Sequence, residues 1–172
     1  MNIQPLRPNG SIEEVIEKYK NMVYGIALTR VKNQSDAEDV FQEVFLVYFR
    51  KNPQFNEEEH RKAWLINTTI NCSRKFIREN TDKNTASLDE IAESQLSETV
   101  FTFDNEQDTE IYNAMCSLPE KYRTVLHLYY FEEMSVEEIS RTLHIKQGTI
   151  RMQMLRGREI LRKKLKGEYF YE

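Results

Sequence analysis

Residues Met134–Leu165 read MSVEEISRTLHIKQGTIRMQMLRGREILRKKL. Ser135-Val136-Glu137-Glu138 is a capping box, a Ser N-cap with Glu three residues on. It opens a helix expected to run to about Leu143. After a turn at His144-Ile145-Lys146, a last helix is expected from about Gln147 to Lys166. Two helices joined by a three- or four-residue turn, the second one basic, form a helix-turn-helix pattern. Ile139, Leu143 and Ile145 are expected inside. On the second helix Ile150, Met154, Leu161 and Leu165 keep one face, at spacings of 4, 7 and 4. Arg151, Arg156, Arg158, Arg162, Lys163 and Lys164 are left for phosphates and base edges. The first turns of such a helix reach the bases, which places Thr149, Arg151, Met152, Gln153 and Arg156 nearest to them. Gln pairs bidentately with adenine and Arg with guanine, so the chemistry suits base readout. The competing reading is a solvated basic face on an ordinary core helix. The capped helix and the short turn in front of it count against that reading.

Composition agrees with long helices. The chain has 172 residues, 40% hydrophobic and 30% charged, with only five Gly and four Pro. So little punctuation disfavours a turn-rich β fold. Nine Tyr, nine Phe and one Trp are too many aromatics for a disordered chain. No apolar run approaches the roughly 18 residues of a membrane span. The opening MNIQPLRPNGSIEE lacks a signal layout, and a cytoplasmic location is expected. Cys72 and Cys116 read as reduced core thiols. The basic neighbours Arg74 and Lys75 are expected to lower the Cys72 pKa, but no partnering base makes it a nucleophile.

The net charge of −4 hides strong patterning. Residues 1–80 are near neutral, 81–112 hold one basic and nine acidic groups, and 113–172 carry a basic excess. Arg61, Lys62, Arg74, Lys75 and Arg78 fall in a stretch without an acid, and 139–167 hold nine basic groups against Glu159. The Debye length is about 8 Å at physiological salt, so each patch acts nearly independently of distant acids. Local fields decide binding.

The organisation follows. Ser11-Ile12-Glu13-Glu14 is a capping box, and the helix it opens is expected to break near Gly25. Ser35-Asp36-Ala37-Glu38 is a second, starting a helix that ends before Pro53. A third helix is expected from about Glu58 to Glu79. The expectation is an all-α fold of two small helical domains, residues 1–80 and 107–172. A flexible acidic linker at 81–106, with a short helix near 88–95, joins them. The three histidines, His60, His127 and His144, show no metal-ligand spacing, and no Gly-rich phosphate loop is present, so neither a cofactor nor a metal is expected.

Ser135 through Arg162 resembles the region 4 helix-turn-helix of sigma-70 family factors, specifically the small extracytoplasmic-function (ECF) class. Ser135, Glu138, Ile139, Leu143, Ile145, Gly148, Thr149, Arg156, Arg158, Glu159, Leu161 and Arg162 keep the family pattern. Ser117-Leu118-Pro119 through Arg123 matches the opening of region 4. Asp36-Ala37-Glu38-Asp39-Val40-Phe41-Gln42-Glu43 resembles a region 2 segment, and so does Ala63-Trp64-Leu65 with Ile70-Asn71. The departures are His144 at the family's turn Gly, Met152 and Gln153 in the reading turn, Leu155 for a small polar residue, and Lys75 where an Asp is common.

The resemblance implies a non-catalytic sigma factor directing promoter-specific initiation by core RNA polymerase. Thr149, Arg151, Met152, Gln153, Arg156 and Arg158 would contact the −35 element. Arg61, Lys62, Asn71, Arg74, Lys75 and Arg78 would contact the −10 element; the last four form one stripe at i, i+3, i+4 and i+7. Glu38, Asp39, Gln42 and Glu43 would dock on the β′ coiled coil, and Tyr129, Tyr130 and Phe131 would face the core and the β flap. The acidic linker would run near the RNA exit path. An anti-sigma factor is an expected partner, with promoter DNA and the polymerase. Two rivals remain: a dimeric helix-turn-helix regulator acting without polymerase, and a module whose basic helices dock an acidic protein.

Overall fold

A computed structural model describes residues 10–83 and 106–169. They form α1 (Ile12–Val31), α2 (Gln34–Lys51), α3 (Glu58–Lys83), α4 (Glu106–Cys116), α5 (Glu120–Tyr130), α6 (Val136–Leu143) and α7 (Gln147–Tyr169). No strand occurs among the described residues. The acidic segment's centre, the helix expected near 88–95 and the last three residues lie outside them.

Caps set the boundaries. Ser11 Oγ accepts from Glu14 N–H, and the Glu14 carboxylate accepts from Ser11 N–H, both at 3.3 Å. That closes α1's first turn and satisfies two donors the helix itself leaves unpaired. α1 runs unbroken through Gly25, so the expected break is absent. Lys32 ends it in the left-handed conformation, φ 65°. This turn makes Asn33 the N-cap of α2, its side chain accepting from Asp36 N–H at 2.8 Å. The expected cap at Ser35 is corrected to Asn33, and Ser35 falls inside the helix.

α1, α2 and α3 pack into a three-helix bundle. Val23, Val44, Leu65 and Ile66 are fully enclosed in it. Trp64 is half-buried and meets Tyr48 and Phe55 edge to face, as a packing residue. The first residue of α3, Glu58, ties the bundle down. Glu58 accepts from Tyr19 Oη at 2.6 Å and Lys18 Nζ at 3.3 Å, and it pairs with buried Arg61.

The second half packs α4, α5 and α6 around α7. Buried Arg123 donates to the Cys116 and Leu118 carbonyls at 3.1 and 3.4 Å, closing the α4–α5 connection. Ser135 caps α6 with a complete capping box, as expected. His144 takes φ 56° and ψ 42° at the helix-turn-helix corner. It fills the left-handed position that glycine usually occupies. Gly157 lets α7 lie close on α5: a Cβ there would lie 2.7 Å from Leu126 Cδ1 and 3.1 Å from Tyr122 Cβ.

The two halves touch through α1 with α4 and α5, and through α3 with α6. Arg30 on α1 has a side chain only 2% exposed and pairs with Glu120. Its other branch donates to Thr124 Oγ1 at 2.8 Å. Arg74 on α3 reaches the same Glu120 oxygen at 3.2 Å. Thr29 gives its hydroxyl hydrogen to the Gly25 carbonyl at 2.8 Å, so His127 Nδ1–H, 2.9 Å away, is the donor to Thr29 Oγ1. At the α3–α6 contact Asn67 donates to the Thr142 carbonyl at 2.7 Å, and Arg141 pairs with Glu59 at 2.7 Å.

Burial alone would raise the Glu120 pKa, but hydrogen bonds and charge from Arg30 and Arg74 outweigh it and hold the carboxyl below its ordinary 4.5. A carboxyl depressed in the folded state takes up protons more readily when unfolded. Its stabilisation is therefore complete above pH 4.5 and lost as pH falls through the folded value. Glu120→Gln is expected to cost about 1–3 kcal/mol at neutral pH, towards the lower end because Glu120 is half-exposed. It is also expected to flatten the acid limb of the thermal melting point against pH. An acid limb identical to wild type would remove Glu120 from this account.

Gly157→Ala gains about 1 kcal/mol in helix propensity. It also pushes a methyl onto the fixed Tyr122 Cβ, at about 1–3 kcal/mol. A lower melting point is expected. Gly148→Ala, whose Cβ meets nothing within 4 Å, is expected to raise it. Urea melts of the two variants check both signs.

Candidate nucleic-acid and polymerase interfaces

α7 is pinned on one side. Ile150, Met154, Gly157 and Leu161 are buried against α4, α5 and α6. The opposite side carries Gly148, Thr149, Arg151, Met152, Leu155 and Arg156, all exposed. Arg151 donates to Gln147 Oε1 at 3.2 Å, a neutral partner that leaves its charge available. Two of the expected −35 residues are placed differently. Arg158 donates to Tyr130 Oη at 2.8 Å and stacks over Tyr129 and Tyr130 at 5.6 Å. Gln153 turns towards the other half, its Oε1 buried without a hydrogen-bond partner among the described residues.

Gln153 lines a cavity of about 440 Å³ between the halves, with Asn67, Asn71, Arg74, Glu120 and Ile145 among its walls. The structure thus brings one expected −35 residue and two expected −10 residues to the same cleft. On α3, Asn71, Arg74, Lys75 and Arg78 are exposed as one stripe, while Lys62 is half-buried. Arg74 is engaged by Glu120, and Lys75 lies 4.0 Å from Glu79. Arg61 does not belong with them. It is 4% exposed, pairs with Glu58 and lies over the Phe55 ring at 5.8 Å. Its expected place among the DNA contacts is corrected to a structural one, because its charge is committed inside the bundle. Cys72 is corrected as well. Burial pushes its thiol up, and Glu43 adds to the rise, so the nearby Lys75 does not make it a thiolate. Cys116 is likewise buried and raised by burial.

Glu38, Asp39 and Gln42 are exposed on α2; Glu43 is half-buried and pairs with Arg50 at 3.2 Å. Two residues beside them went unnoticed in the sequence. Leu46 and Phe49 are 52% and 67% exposed. They follow Asp39 and Gln42 by seven residues each, so they extend the same face along the helix. The signal was present: neither falls on the inward stripe of Val40, Val44, Phe45 and Tyr48. Tyr130, expected in the core or at a partner, is half-exposed. Among the described residues no group of three His, Cys, Asp or Glu side chains is placed to hold a metal ion. No helix there is long and apolar enough to cross a membrane.

The sequence matches "Sigma-70 region 2" over residues 15–82 and "Sigma-70, region 4" over residues 108–161. Together the two matches span most of the chain. It is 29% identical over 165 residues to the ECF RNA polymerase sigma factor SigW of Bacillus subtilis, covering 89% of this chain and 88% of that protein. It is 31% identical over 157 residues to the ECF sigma factor SigE of Mycolicibacterium smegmatis, covering 88% of this chain and 60% of the relative. Among solved structures, it aligns with the sigma factor RpoE of Bartonella quintana, crystallised with the anti-sigma factor NepR, at TM-score 0.72 and 18% identity, over 91% and 97% of the two chains. It also aligns with CnrH, solved with the cytosolic domain of CnrY, at TM-score 0.67 and 16% identity, over 94% of each chain. The helical fold, the basic helix-turn-helix and both matched regions agree: the chain belongs to the sigma-70 family of RNA polymerase sigma factors, in its ECF class, a non-catalytic subunit that gives core polymerase its promoter specificity.

Proposed function

We propose that α2 docks this sigma factor on core polymerase, that α3 engages the −10 element and that α7 reads the −35 element. The observation that carries the proposal is the outward side of α7, where Thr149, Arg151, Met152 and Arg156 are exposed opposite a fully packed face. A helix held this way, behind a short turn, can enter the major groove. Arg158 would support that side from its stack on Tyr129 and Tyr130. On α3 the exposed Asn71, Arg74, Lys75 and Arg78, with Lys62 beside them, suit phosphates and splayed bases of an opening duplex. Gln153 and Arg74 would join their DNA contacts once the cleft between the halves opens.

On α2, Asp39, Gln42 and Glu43 offer acidic and polar groups, and Leu46 and Phe49 offer apolar area to the β′ coiled coil. The β flap would take α5's exposed end near Tyr130. Regulation would come from an anti-sigma factor that covers the same polymerase face, as the structural neighbour RpoE was solved with the anti-sigma factor NepR. The site of action is the cytoplasm, where the polymerase works. Residues 1–80 would act as the region 2 domain and 107–172 as the region 4 domain, with 81–106 between them.

Run-off transcription with purified core polymerase on a randomised promoter library is the direct test. Transcripts that require this chain, from templates sharing two spaced elements, are expected. Specific duplex binding by a dimer without polymerase would favour the stand-alone regulator instead. In polymerase titrations, Asp39→Lys with Glu43→Lys is expected to weaken binding at least tenfold, about 1.4 kcal/mol. Phe49→Ala is expected to cost a similar amount, as an apolar anchor. Asp39 and Phe49 are exposed and half-buried Glu43 gives up only a surface pair with Arg50, so the melting point should stay near wild type. Unchanged affinity in both variants would reassign the α2 face.

A further inference from the structure

The outward side of α7 is not uniformly basic. Met152 and Leu155 are 47% and 51% exposed, large apolar side chains left in water on the face meant for a polyanion. At about 100° per residue, the order around the helix is Arg151, Leu155, Met152, Arg156. The apolar pair therefore forms a ridge with one arginine on each flank. Gly148 lies one turn before Met152 on the same line and presents no side chain, so nothing shields the ridge at its N-terminal end. Below it, buried Ile150, Met154 and Leu161 fix the helix, so the ridge cannot roll inward to hide itself.

A basic protein surface that also exposes apolar area fits one feature of duplex DNA. The major-groove floor carries a single apolar group, the thymine C5-methyl, while phosphates line both walls. A ridge with charges on its flanks puts the methyls under Met152 and Leu155 and the phosphates or guanine edges within reach of Arg151 and Arg156. We propose that Met152 and Leu155 read thymine methyl groups in the −35 element, which makes thymine content there a determinant of this factor's promoter choice. The inference rests on α7 as the −35 reader. It adds Leu155 to the reading set and gives Met152 a chemistry distinct from that of the arginines.

The test uses holoenzyme assembled from core polymerase and the full chain, on a promoter recovered from the run-off selection. Each thymine of the −35 element, on either strand, is replaced in turn by deoxyuridine. That deletes the methyl and keeps every hydrogen-bonding group. For the wild type, open-complex formation is expected to fall about fourfold at one or two positions, the worth of one buried carbon group. Met152→Ala and Leu155→Ala, each exposed and expected to fold normally, are each expected to abolish the penalty at the thymine that the removed side chain covers. Arg156→Ala is expected to keep the deoxyuridine penalty while losing −35 affinity overall.

Deoxyuridine without effect at every position in the wild type would overturn the proposal. A selected −35 element with no thymine on either strand would do the same. If the two alanine variants lose polymerase affinity with no dependence on the −35 sequence, the ridge belongs to a protein contact and the proposal fails. Scrambling the −35 element separates the two levels: if that too changes nothing, α7 is not the −35 reader at all. If scrambling abolishes initiation while deoxyuridine is neutral, the reader stands and methyl readout is wrong.

Discussion

The arrangement of the two halves depends on a buried cation. Arg30 lies on the last turn of α1 with almost no exposed side-chain surface, and its partners, Glu120 and Thr124, belong to the other half. A guanidinium taken out of water without a counter-charge would be expensive, and burial pulls its pKa down. Glu120 and Thr124 offset that expense by satisfying donors that α1 cannot satisfy by itself. Such pairs contribute little net stability against an apolar equivalent, but removing one partner strands the other. The geometry therefore specifies one mutual placement more than it strengthens it. Thr29 with His127, and Glu59 with Arg141, act in the same sense from neighbouring positions.

This joint draws on the residues proposed for DNA. Glu120 is shared by Arg30 and Arg74, so a phosphate that recruits Arg74 takes a cation from the joint. Gln153 lines the cleft opposite Asn71 and Arg74, so opening the halves would uncover its amide together with theirs. Separation of the halves and engagement of DNA thus draw on overlapping sets of side chains. Acid below the ordinary glutamate range and polyanions act on the joint through the same carboxylate–guanidinium contact.

Much of the helical layout was legible because its signals are local. The capping boxes at Ser11 and Ser135 lie where a Ser and a Glu three residues apart place them. His144 fills the left-handed corner its sequence position required, and the buried side of α7 follows the spacing of Ile150, Met154 and Leu161. Misreadings arose where the deciding partner comes from elsewhere in the chain. Asn33 displaced Ser35 as a cap because Lys32 turns left-handed just before it. Arg61 looked like one more surface cation; Glu58, itself held by Lys18 and Tyr19 of α1, draws it inward. Nothing near Gln153 in sequence announces that α3 lies opposite, and nothing near Cys72 announces that its burial outweighs its basic neighbours.

Two pairs of exposed apolar side chains carry the functional reading further than either charge or hydrophobicity alone. Leu46 and Phe49 stand beside Asp39, Gln42 and Glu43; Met152 and Leu155 stand between Arg151 and Arg156. Each pair offers comparable apolar area, and by area alone either could meet any partner. The surrounding charge discriminates. Carboxylates around the α2 pair repel phosphate and favour a basic protein surface, while guanidinium groups around the α7 pair favour the groove of a duplex. In one chain with a net charge of −4, opposite local fields around two apolar ridges would separate the two proposed partners, each ridge matching the partner its flanking charges attract.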